Sequence, residues 1–392
     1  MPGAFALRKP SFTSLVTSTV ALFLVYLYQL HSSWSTSSEP ASPGFVLAKP
    51  ITSTIASSNI MTAATMRAIV MHETGGPSVL KLQSLPRPTA KPGHVLIRIK
   101  AFGLNRSEVF TRQGHSPGVT FPRVLGIEAA GEVEDAPGAE FQKGDVVVTA
   151  MGGMGRVFDG GYAEYTLVPA SQVLKVGKGV LREGAINWAV LGALPEMMQT
   201  AWGSLFKSLQ LERGDRLLIR GGTTSVGLAA AALAKEKGAF VAATTRNASR
   251  ETMLKDLGID HVIIDDGVIA QEVRRKWPQG FDKILELVGV TTLEDSLKCA
   301  APAGTVCMTG IAGGKWTFDQ FNPMMSIPTA VRLTTYAGSA EDLLLTPVDD
   351  IAAKVLSGTM KLPIKTFKME DIVEAHRFME HEGAVAKIVV LT

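Results

Sequence analysis

A short apolar strand, a glycine turn and an alanine-rich helix follow one another without interruption at residues 216–237. The strand is RLLIR (Arg216–Arg220), the turn is GGTTSVG (221–227), and the helix is VGLAAAALAKEK (226–237). Strand and helix patterns then alternate as far as residue 309. Because neighbouring parallel strands need a crossover helix between them, this alternation predicts an α/β fold with a doubly wound parallel sheet.

The elements of this sheet are bounded by glycine, proline and charged residues. Besides 216–220, the predicted strands are 240–245, 261–265, 282–288 and 305–309, and the predicted helices are 226–237, 251–257 and 268–277. Both cysteines of the chain, Cys299 and Cys307, fall inside this region. Two cysteines are too few for a disulfide framework or for the cysteine-rich ligand set of a structural zinc ion.

A different sequence pattern precedes the predicted parallel sheet. From residue 66 to about 180, short apolar runs such as HVLIRIKAFGLN (94–105) and DVVVTA (145–150) are separated by glycine and proline. This pattern predicts mostly β structure. After residue 330 the chain ends on KIVVLT (387–392), and the tail is too short for a domain of its own. We expect the tail to return to the β-rich part and complete it.

The N-terminal head differs from the rest of the chain. Residues 12–30 form an uncharged run of 19 residues, which as a helix would be about 28 Å long, close to the thickness of a membrane core. Serine and threonine dilute its first half, so several interpretations remain open. They are a single-pass membrane anchor, a cleaved secretory signal, a mitochondrial presequence, and a dispensable or misassigned extension of the folded part.

Charge separates the head from the body. The head, 1–65, has three basic residues and one acidic residue, which leaves 36 basic and 35 acidic residues for the remaining 327. This balance predicts no nucleic-acid partner. We divide the chain into a head of hydrophobic segment and low-complexity linker (1–65), a β-rich substrate domain (66–184), a nucleotide-binding domain (185–330) and a C-terminal return (331–392).

The glycine turn indicates a dinucleotide. A turn that ends a strand and opens a helix can place a pyrophosphate on the free amides at the positive end of the helix dipole. In the usual motif a glycine stands where this chain has Thr224, whose hydroxyl can bond phosphate while its Cβ limits the approach. The predicted cofactor residues here are Gly221, Gly222, Thr223, Thr224, Ser225, Val226 and Gly227.

The end of the next strand favours NADPH over NADH. An acidic residue there would accept from the ribose hydroxyl, whereas basic residues would bind the 2′-phosphate. Here Thr245 is followed by Arg246 and Arg250, with no acid before Glu251. The two arginines can form a guanidinium clamp. The alternative is that both are solvated residues at the start of a helix.

Several stretches together carry a resemblance to a known family. They are GLNRSEVFTRQG (103–114), FPRVLGIEAAGEV (121–133), KGDVVV, GGYAEY, LPEMMQTAWGSL (194–205), RGGTTSVGLAA and AHRFMEHEGAVAKIVV. The chain from 66 to 392 resembles the medium-chain dehydrogenase/reductase superfamily, and within it the zinc-independent quinone oxidoreductase branch. The resemblance implies a GroES-like domain beside a Rossmann sheet, and a homodimer.

The zinc alcohol dehydrogenases of this superfamily place a cysteine after the third strand and a histidine in a Gly-His-Glu triplet. This chain has Asn105 at the first position and Gly126-Ile127-Glu128 at the second. The β-rich region contains no cysteine, and His72, His94 and His115 show no ligand spacing. We therefore predict no metal.

Site roles follow from position in the resemblance. Asn105 resembles the residue near the nicotinamide, and Thr200 resembles a threonine that contacts the cofactor. Phe110 stands where several relatives have a tyrosine proposed to assist the substrate. Arg112 follows on the same loop as a substrate residue, with a structural role as its alternative. His115 is a candidate acid for the proton.

The sequence therefore predicts an NADPH-dependent, zinc-independent reductase that transfers hydride to a quinone or an α,β-unsaturated carbonyl. Such acceptors are electrophilic enough to react without a Lewis acid when the nicotinamide is well placed. The alternatives are an enoyl or alcohol-type tailoring reductase of a biosynthetic pathway, and a non-catalytic NADPH-binding, membrane-associated protein. The segment 12–30 predicts membrane association, and without it the protein would be cytoplasmic or mitochondrial.

Overall fold

The computed structural model describes residues 64–177, 179–181, 186–381 and 385–392. The hydrophobic segment 12–30 and the linker after it lie outside these residues, so their interpretation stays a prediction. Among the described helices, none has both the length and the apolar character needed to cross a bilayer.

Sixteen strands are formed by the described residues. They are β1 (Thr65–Met71), β2 (Leu80–Pro86), β3 (His94–Gly103), β4 (Arg123–Val124), β5 (Glu128–Asp135), β6 (Val146–Ala150), β7 (Tyr165–Pro169), β8 (Val173–Lys175), β9 (Arg216–Arg220), β10 (Phe240–Thr245), β11 (His261–Ile264), β12 (Phe281–Glu286), β13 (Ala300–Met308), β14 (Arg332–Thr335), β15 (Ile364–Lys368) and β16 (Lys387–Leu391).

The α-helices in the described part are α1 (Arg106–Arg112), α2 (Trp188–Ala193), α3 (Pro195–Trp202), α4 (Ser225–Lys237), α5 (Glu251–Asp256), α6 (Ala270–Lys276), α7 (Val290–Cys299), α8 (Pro323–Ser326), α9 (Ala340–Leu345), α10 (Val348–Leu356) and α11 (Ile372–His381). Helix α3 continues into a π-helical turn at Gly203–Ser208.

Strands β9 to β14 form a six-stranded sheet in the order β11-β10-β9-β12-β13-β14. All of its pairings are parallel, and the strand order reverses between β9 and β12. In an open sheet of this kind a crevice lies outside the carboxyl ends of the strands at the reversal. The predicted α/β fold with a doubly wound parallel sheet is confirmed, and the glycine turn after β9 lies at the reversal point.

The β-rich part has two sheets. A three-stranded sheet runs β2-β1-β4, and a larger one runs β15-β16-β3-β5-β6-β8 with β7 also paired to β3. The last strand of the chain returns here as expected, because β16 pairs antiparallel with β3 and sets Val389 opposite Gly103. The predicted GroES-like domain is therefore present, while the boundaries drawn at 65, 184 and 330 stay predictions.

The two parts share a buried apolar core. Side chains of α3, such as Met198 and Ala201, belong to the same buried cluster as Leu217 of β9, Leu228 of α4 and Val148 of β6. Burial of apolar surface is favourable, by about 25 cal/mol per Å². The shared cluster therefore stabilises the position of α3 between the two sheets. Helix α3 thereby connects the ends of the β-rich strands with the glycine turn.

Strands β9 and β10 have the predicted bounds, and the other predicted elements of this sheet differ by up to five residues, the largest shift being at the start of β13. It begins at Ala300 rather than 305, because the early residues form a bulged pairing with β12. Helix α6 begins at Ala270 rather than 268, where Asp295 accepts the backbone N–H groups of Ile269 and Ala270. A side chain distant in sequence sets this boundary, which explains why local propensity misplaced it.

We expect Gly131→Ala to reduce stability strongly. A Cβ at Gly131 in β5 would lie 2.1 Å from the carbonyl oxygen of Arg98 in the neighbouring strand β3, so the two strands would have to separate. Overpacking of this kind costs about 1–3 kcal/mol. Urea unfolding should show the loss as a lower midpoint.

The matched control is Gly76→Ala. Gly76 has an ordinary φ of −69° and no heavy atom within 4 Å of the added Cβ. Its midpoint should stay at the wild-type value. Equal midpoints for the two variants would show that the β3–β5 spacing is not constrained as described.

Candidate active site

A buried ammonium group lies where three segments of the β-rich part meet. The side chain of Lys387, at the start of β16, has no exposed surface. Its Nζ donates to Oε1 of Glu128 at 2.7 Å, to Oδ1 of Asn105 at 2.5 Å and to the carbonyl oxygen of Leu104 at 3.3 Å. All three N–H bonds of the ammonium are used, so the charge is both paired and hydrogen-bonded.

The ammonium fixes the orientation of Asn105. Because Lys387 can only donate, the atom of Asn105 facing it must be the amide oxygen, and the amide nitrogen then donates to Oε1 of Glu128 at 2.8 Å. The side chain of Asn105 is 6% exposed. One amide N–H of Asn105 remains beyond the bond to Glu128.

Glu108 holds the two loops that carry this cluster. Its carboxylate accepts from the backbone N–H of Asn105 at 3.0 Å and from that of Ile127 at 2.9 Å. It forms the capping box of α1, which explains why the helix begins directly after Asn105. Burial raises the pKa of Glu108 to about 7, although the bond from Ile127 acts in the opposite direction.

Glu196 joins the cluster from α3. Its backbone N–H donates to Oε2 of Glu128 at 2.8 Å, and its carboxyl oxygen Oε1 accepts from the hydroxyl of Thr200 at 3.0 Å. Both residues are partly exposed. Ser204 extends this hydrogen-bond network. Its hydroxyl donates to the carbonyl of Thr200 at 2.7 Å and contacts the hydroxyl of Thr309 at 2.9 Å. These contacts lead from the β-rich strands to the end of β13.

Aromatic side chains lie beside the cluster. Phe110, on α1, packs edge-on against Trp316 at 5.1 Å between ring centroids and against His115 at 6.3 Å. Trp316 is 51% exposed, and His115 is exposed. Arg106 lies over the Phe110 ring and donates to the carbonyl of Ala312, 3.3 Å away. This group joins the loop after β3 to the loop after β13.

Arg112 does not face this opening. Its side chain has no exposed surface, and it donates to the carboxylate of Glu380 and to the carbonyl of Gly75. A substrate entering from solvent does not reach it in this conformation. The ion pair favours the structural alternative over the substrate role that the sequence suggested.

The glycine turn has the shape that a dinucleotide needs. Gly221 has a φ of +89°, and a Cβ at Gly222 would lie 2.6 Å from the Cβ of Ala243 in β10. A Cβ at Gly227 would likewise lie only 2.5 Å from the carbonyl oxygen of Gly221, so a larger residue would not fit there. The turn therefore brings the N-terminus of the 13-residue helix α4 close to the sheet.

Thr224 explains the missing middle glycine. Its hydroxyl caps α4 by accepting from the N–H of Gly227 at 3.0 Å and donates to the carbonyl of Gly221 at 2.8 Å. That hydroxyl proton is therefore unavailable to a phosphate, contrary to one sequence expectation. Thr223, Ser225 and Val226 are partly exposed at the helix start, where their backbone amides can bind an anion.

The predicted 2′-phosphate residues follow β10. Thr245 is buried, and its hydroxyl accepts from the N–H of Asn247 at 3.2 Å. Arg246 is exposed and Arg250 is partly exposed at the end of a 3₁₀ turn. The two arginines thus flank the end of β10, next to the strand that carries the glycine turn.

A second buried ion cluster supports the glycine turn. Arg220, directly before Gly221, donates twice to the carboxylate of Asp265 at 2.9 Å and once to Asp295 at 2.7 Å. Glu286, at the end of β12, accepts the N–H groups of Val288 and Gly289 at 2.7 and 3.0 Å. These bonds fix the carboxyl ends of three parallel strands against α7.

The donor set at Asn105 does not fit a catalytic zinc ion. Zinc takes cysteine, histidine and carboxylate ligands, whereas Asn105 supplies an amide and Ile127 supplies none. An ammonium bonds the oxygens of Asn105 and Glu128 that would face a cation. Across the described ranges, no three His, Cys, Asp or Glu side chains are grouped to hold a metal.

Two family models match the chain. Residues 91–178 match the alcohol dehydrogenase GroES-like domain, and residues 225–344 match the zinc-binding dehydrogenase domain. The chain belongs to the medium-chain dehydrogenase/reductase superfamily. Within the superfamily it is quinone oxidoreductase-like, and it is an oxidoreductase.

Relatives and solved structures agree with this assignment. The quinone oxidoreductase of Pongo abelii is 28% identical over 335 residues, covering 83% of this chain and 98% of the relative. The 2-haloacrylate reductase of a Burkholderia species is 26% identical with the same shares. A mycobacterial protein solved with NADPH is 29% identical with a TM-score of 0.72, covering 83% of this chain and all of that one. The family and this neighbour suggest a nicotinamide cofactor.

Sequence reasoning missed Lys387, Glu196 and Glu108. The sequence contained a weak indication of each of these residues. Lys387 is the one charge in KIVVLT, and Glu196 follows the proline of LPEMM. Glu108 is the third residue after Asn105, the position of a helix-capping glutamate. A charged residue within an apolar segment or at a helix-capping position indicates a side chain that is buried against a residue of opposite charge or a hydrogen-bond partner. The partners, however, are separated by up to 282 residues.

Breaking the central ion pair should destabilise the protein. Lys387→Met or Glu128→Gln alone leaves a buried charge without its partner, which costs about 3–5 kcal/mol. The double variant removes both charges and should cost less than the sum of the single losses. Chemical unfolding of the four proteins measures this coupling.

Lys143→Met serves as the control, because the Lys143 side chain is 73% exposed and pairs with Glu134 at the surface. The free energy of unfolding of this variant should stay within about 0.5 kcal/mol of the wild-type value. A similar small loss for Lys387→Met would contradict the buried pair.

Proposed function

We propose that the chain reduces quinones or α,β-unsaturated carbonyl compounds with hydride from NADPH, without a catalytic metal. The observation that carries the proposal is the Lys387–Glu128–Asn105 cluster, in which Asn105 stands where the zinc dehydrogenases have a cysteine ligand and is bonded by an ammonium group. An enzyme without a Lewis acid needs an acceptor that is already electrophilic. Quinones and enones meet that requirement.

Bound NADPH would supply the hydride, and the chain's residues would orient it. The glycine turn, the amides of Thr223–Val226 at the start of α4, and the shape provided by Gly222 suit its pyrophosphate. Arg246 and Arg250 suit its 2′-phosphate. Asn105 and Thr200 are proposed to face the nicotinamide, where Asn105 is held rigid by Lys387 and Glu128.

The acceptor would enter beside Phe110 and Trp316. A flat conjugated ring can pack on the exposed face of the indole of Trp316, which is 51% exposed. His115 lies at the same opening as a candidate acid. The names of the relatives, quinone oxidoreductase and 2-haloacrylate reductase, point to activated acceptors of these two kinds. A homodimer, as the resemblance implies, stays a prediction.

Turnover tests this proposal directly. Full-length protein with NADPH and a panel of quinones, enones and a 2-haloacrylate should oxidise NADPH at a rate that depends on the acceptor. Prior treatment with EDTA should leave the rate within about twofold, because the cluster offers no zinc ligand set. Tight NADPH binding without turnover on any acceptor, or activity that returns only with added zinc, would contradict the proposal.

Cofactor choice gives a separate prediction. The double variant Arg246→Ala/Arg250→Ala should weaken NADPH by at least about tenfold, because it removes charge-assisted bonds to the 2′-phosphate. NADH lacks that phosphate and should lose no more than about twofold. Fluorescence titration of both nucleotides gives the dissociation constants.

Arg275→Ala controls for the loss of positive charge, since Arg275 is exposed on α6. It should change neither dissociation constant. Equal losses of NADPH and NADH in the double variant would mean that the arginines do not distinguish the two cofactors.

A further inference from the structure

We propose that the carboxyl group of Glu196 donates the proton that completes the reduction. Hydride transfer leaves the acceptor as an anion, and an acid beside it must supply a proton. The inference rests on the proposed function and names a catalytic residue that neither the motifs nor the aromatic opening indicated.

The first step of the argument is placement. Glu196 lies in the first turn of α3, four residues before Thr200, so both side chains lie on one face of the helix. Its backbone N–H is bonded to Glu128, which in turn holds Asn105. Of the two residues proposed to face the nicotinamide, Glu196 therefore bonds Thr200 directly and Asn105 through Glu128.

Exposure distinguishes Glu196 from the other charges of the cluster. The side chains of Glu128 and Lys387 have no exposed surface, and Glu108 is 1% exposed, whereas Glu196 is partly exposed. A proton donor must reach its acceptor during the reaction and regain a proton from solvent afterwards. Among these four charged groups, Glu196 alone is partly exposed to solvent, which is why we assign the donor role to it.

The bond from Thr200 orients the carboxyl. Its hydroxyl donates to Oε1 of Glu196 at 3.0 Å, so Oε1 acts as an acceptor. The proton of the neutral acid is then carried on Oε2, which is the oxygen able to donate. Ser204 contacts the backbone carbonyl of Thr200 at 2.7 Å and so stabilises this arrangement.

The surroundings shift the carboxyl of Glu196 towards its protonated form. Burial raises the pKa of Glu196, and the charge of Glu128 reinforces this shift. The Lys387 ammonium and the hydrogen bond from Thr200 oppose it. Tyr336, which is electrostatically linked to Glu196, has a raised pKa because of burial and the nearby charge of Asp342, so it stays neutral.

The chemical step balances. After hydride has reached the acceptor, the electron pair of the enolate carbon, or of the quinol oxygen, takes the proton from Oε2 of Glu196. The O–H bond of the acid breaks, a C–H or O–H bond forms on the product, and the carboxylate of Glu196 is reprotonated from water. The oxidation state of the protein does not change.

Glu196→Gln tests the assignment, because it keeps the size of the side chain and removes the acidic proton. With the acceptor that the wild type turns over, kcat should fall by about 100-fold or more, while KM for NADPH should change little. The wild-type kcat should fall as pH rises through the raised pKa of Glu196, because the carboxyl then loses its proton. The variant should lose this pH dependence.

Two readouts do not depend on the rate. Infrared spectra of the protein without cofactor should contain a carboxylic acid band that is absent from Glu196→Gln and that persists above the ordinary pH range of glutamic acid. With an α-methyl enone in D₂O, the wild type should place deuterium on one face of the α-carbon, and the variant should place it on both.

Glu341→Gln is the matched control, since Glu341 occupies the first turn of α9 and is exposed. It should retain the wild-type kcat and pH profile. If Glu196→Gln fails to fold, Glu196→Asp keeps an acid one methylene shorter and should show a lower kcat with its pH dependence intact.

The outcomes separate this inference from the proposed function. Wild-type turnover together with an unchanged kcat and pH profile in Glu196→Gln would overturn the role of Glu196 and leave the reductase standing. Loss of the pH dependence in His115→Ala instead would transfer the role to His115. Ionisation of Glu196 at its ordinary pKa would also overturn it. Absence of wild-type turnover on every acceptor would overturn both proposals.

Discussion

The geometry of the candidate site depends on the hydrogen bonds that the ammonium group of Lys387 donates. The ammonium joins the end of β3, the start of β5 and the start of β16, and the site forms only when all three strands are in place. A buried charge is tolerated because its three N–H bonds find acceptors. The same bonds prevent Asn105 from rotating, so an ion pair that contributes to the fold also positions the proposed nicotinamide contact.

The cluster is also the basis of our proposal that the protein works without zinc. A fixed positive charge compensates Glu128 in the interior, and an amide replaces a metal-binding thiolate. In the proposed reaction the site has no Lewis acid to polarise an ordinary carbonyl. The consequence is a restriction on acceptors, and this links the identity of one buried side chain to the class of substrate that we propose.

The parallel sheet has a comparable support. Arg220 ties the carboxyl end of β9 to Asp265 after β11 and to Asp295 on α7, directly below the glycine turn. The turn is thus held by charges on one side and by the close approach of Gly222 to β10 on the other. Rigid support at both ends suits a site that must orient two reactants, as the proposed reaction without a metal requires.

The sequence by itself determined the alternation of strands and helices, the glycine turn and the absence of cysteine from the β-rich part, because these depend on neighbours within a few residues. Through motifs it proposed Asn105, Thr200, Phe110 and the glycine turn as site residues. Only the tertiary structure decided that Lys387 bonds Asn105, that Glu196 joins the cluster, and that Arg112 turns inward to Glu380. Those pairings link residues 68 to 282 positions apart, and no local pattern specifies which buried charge will meet which.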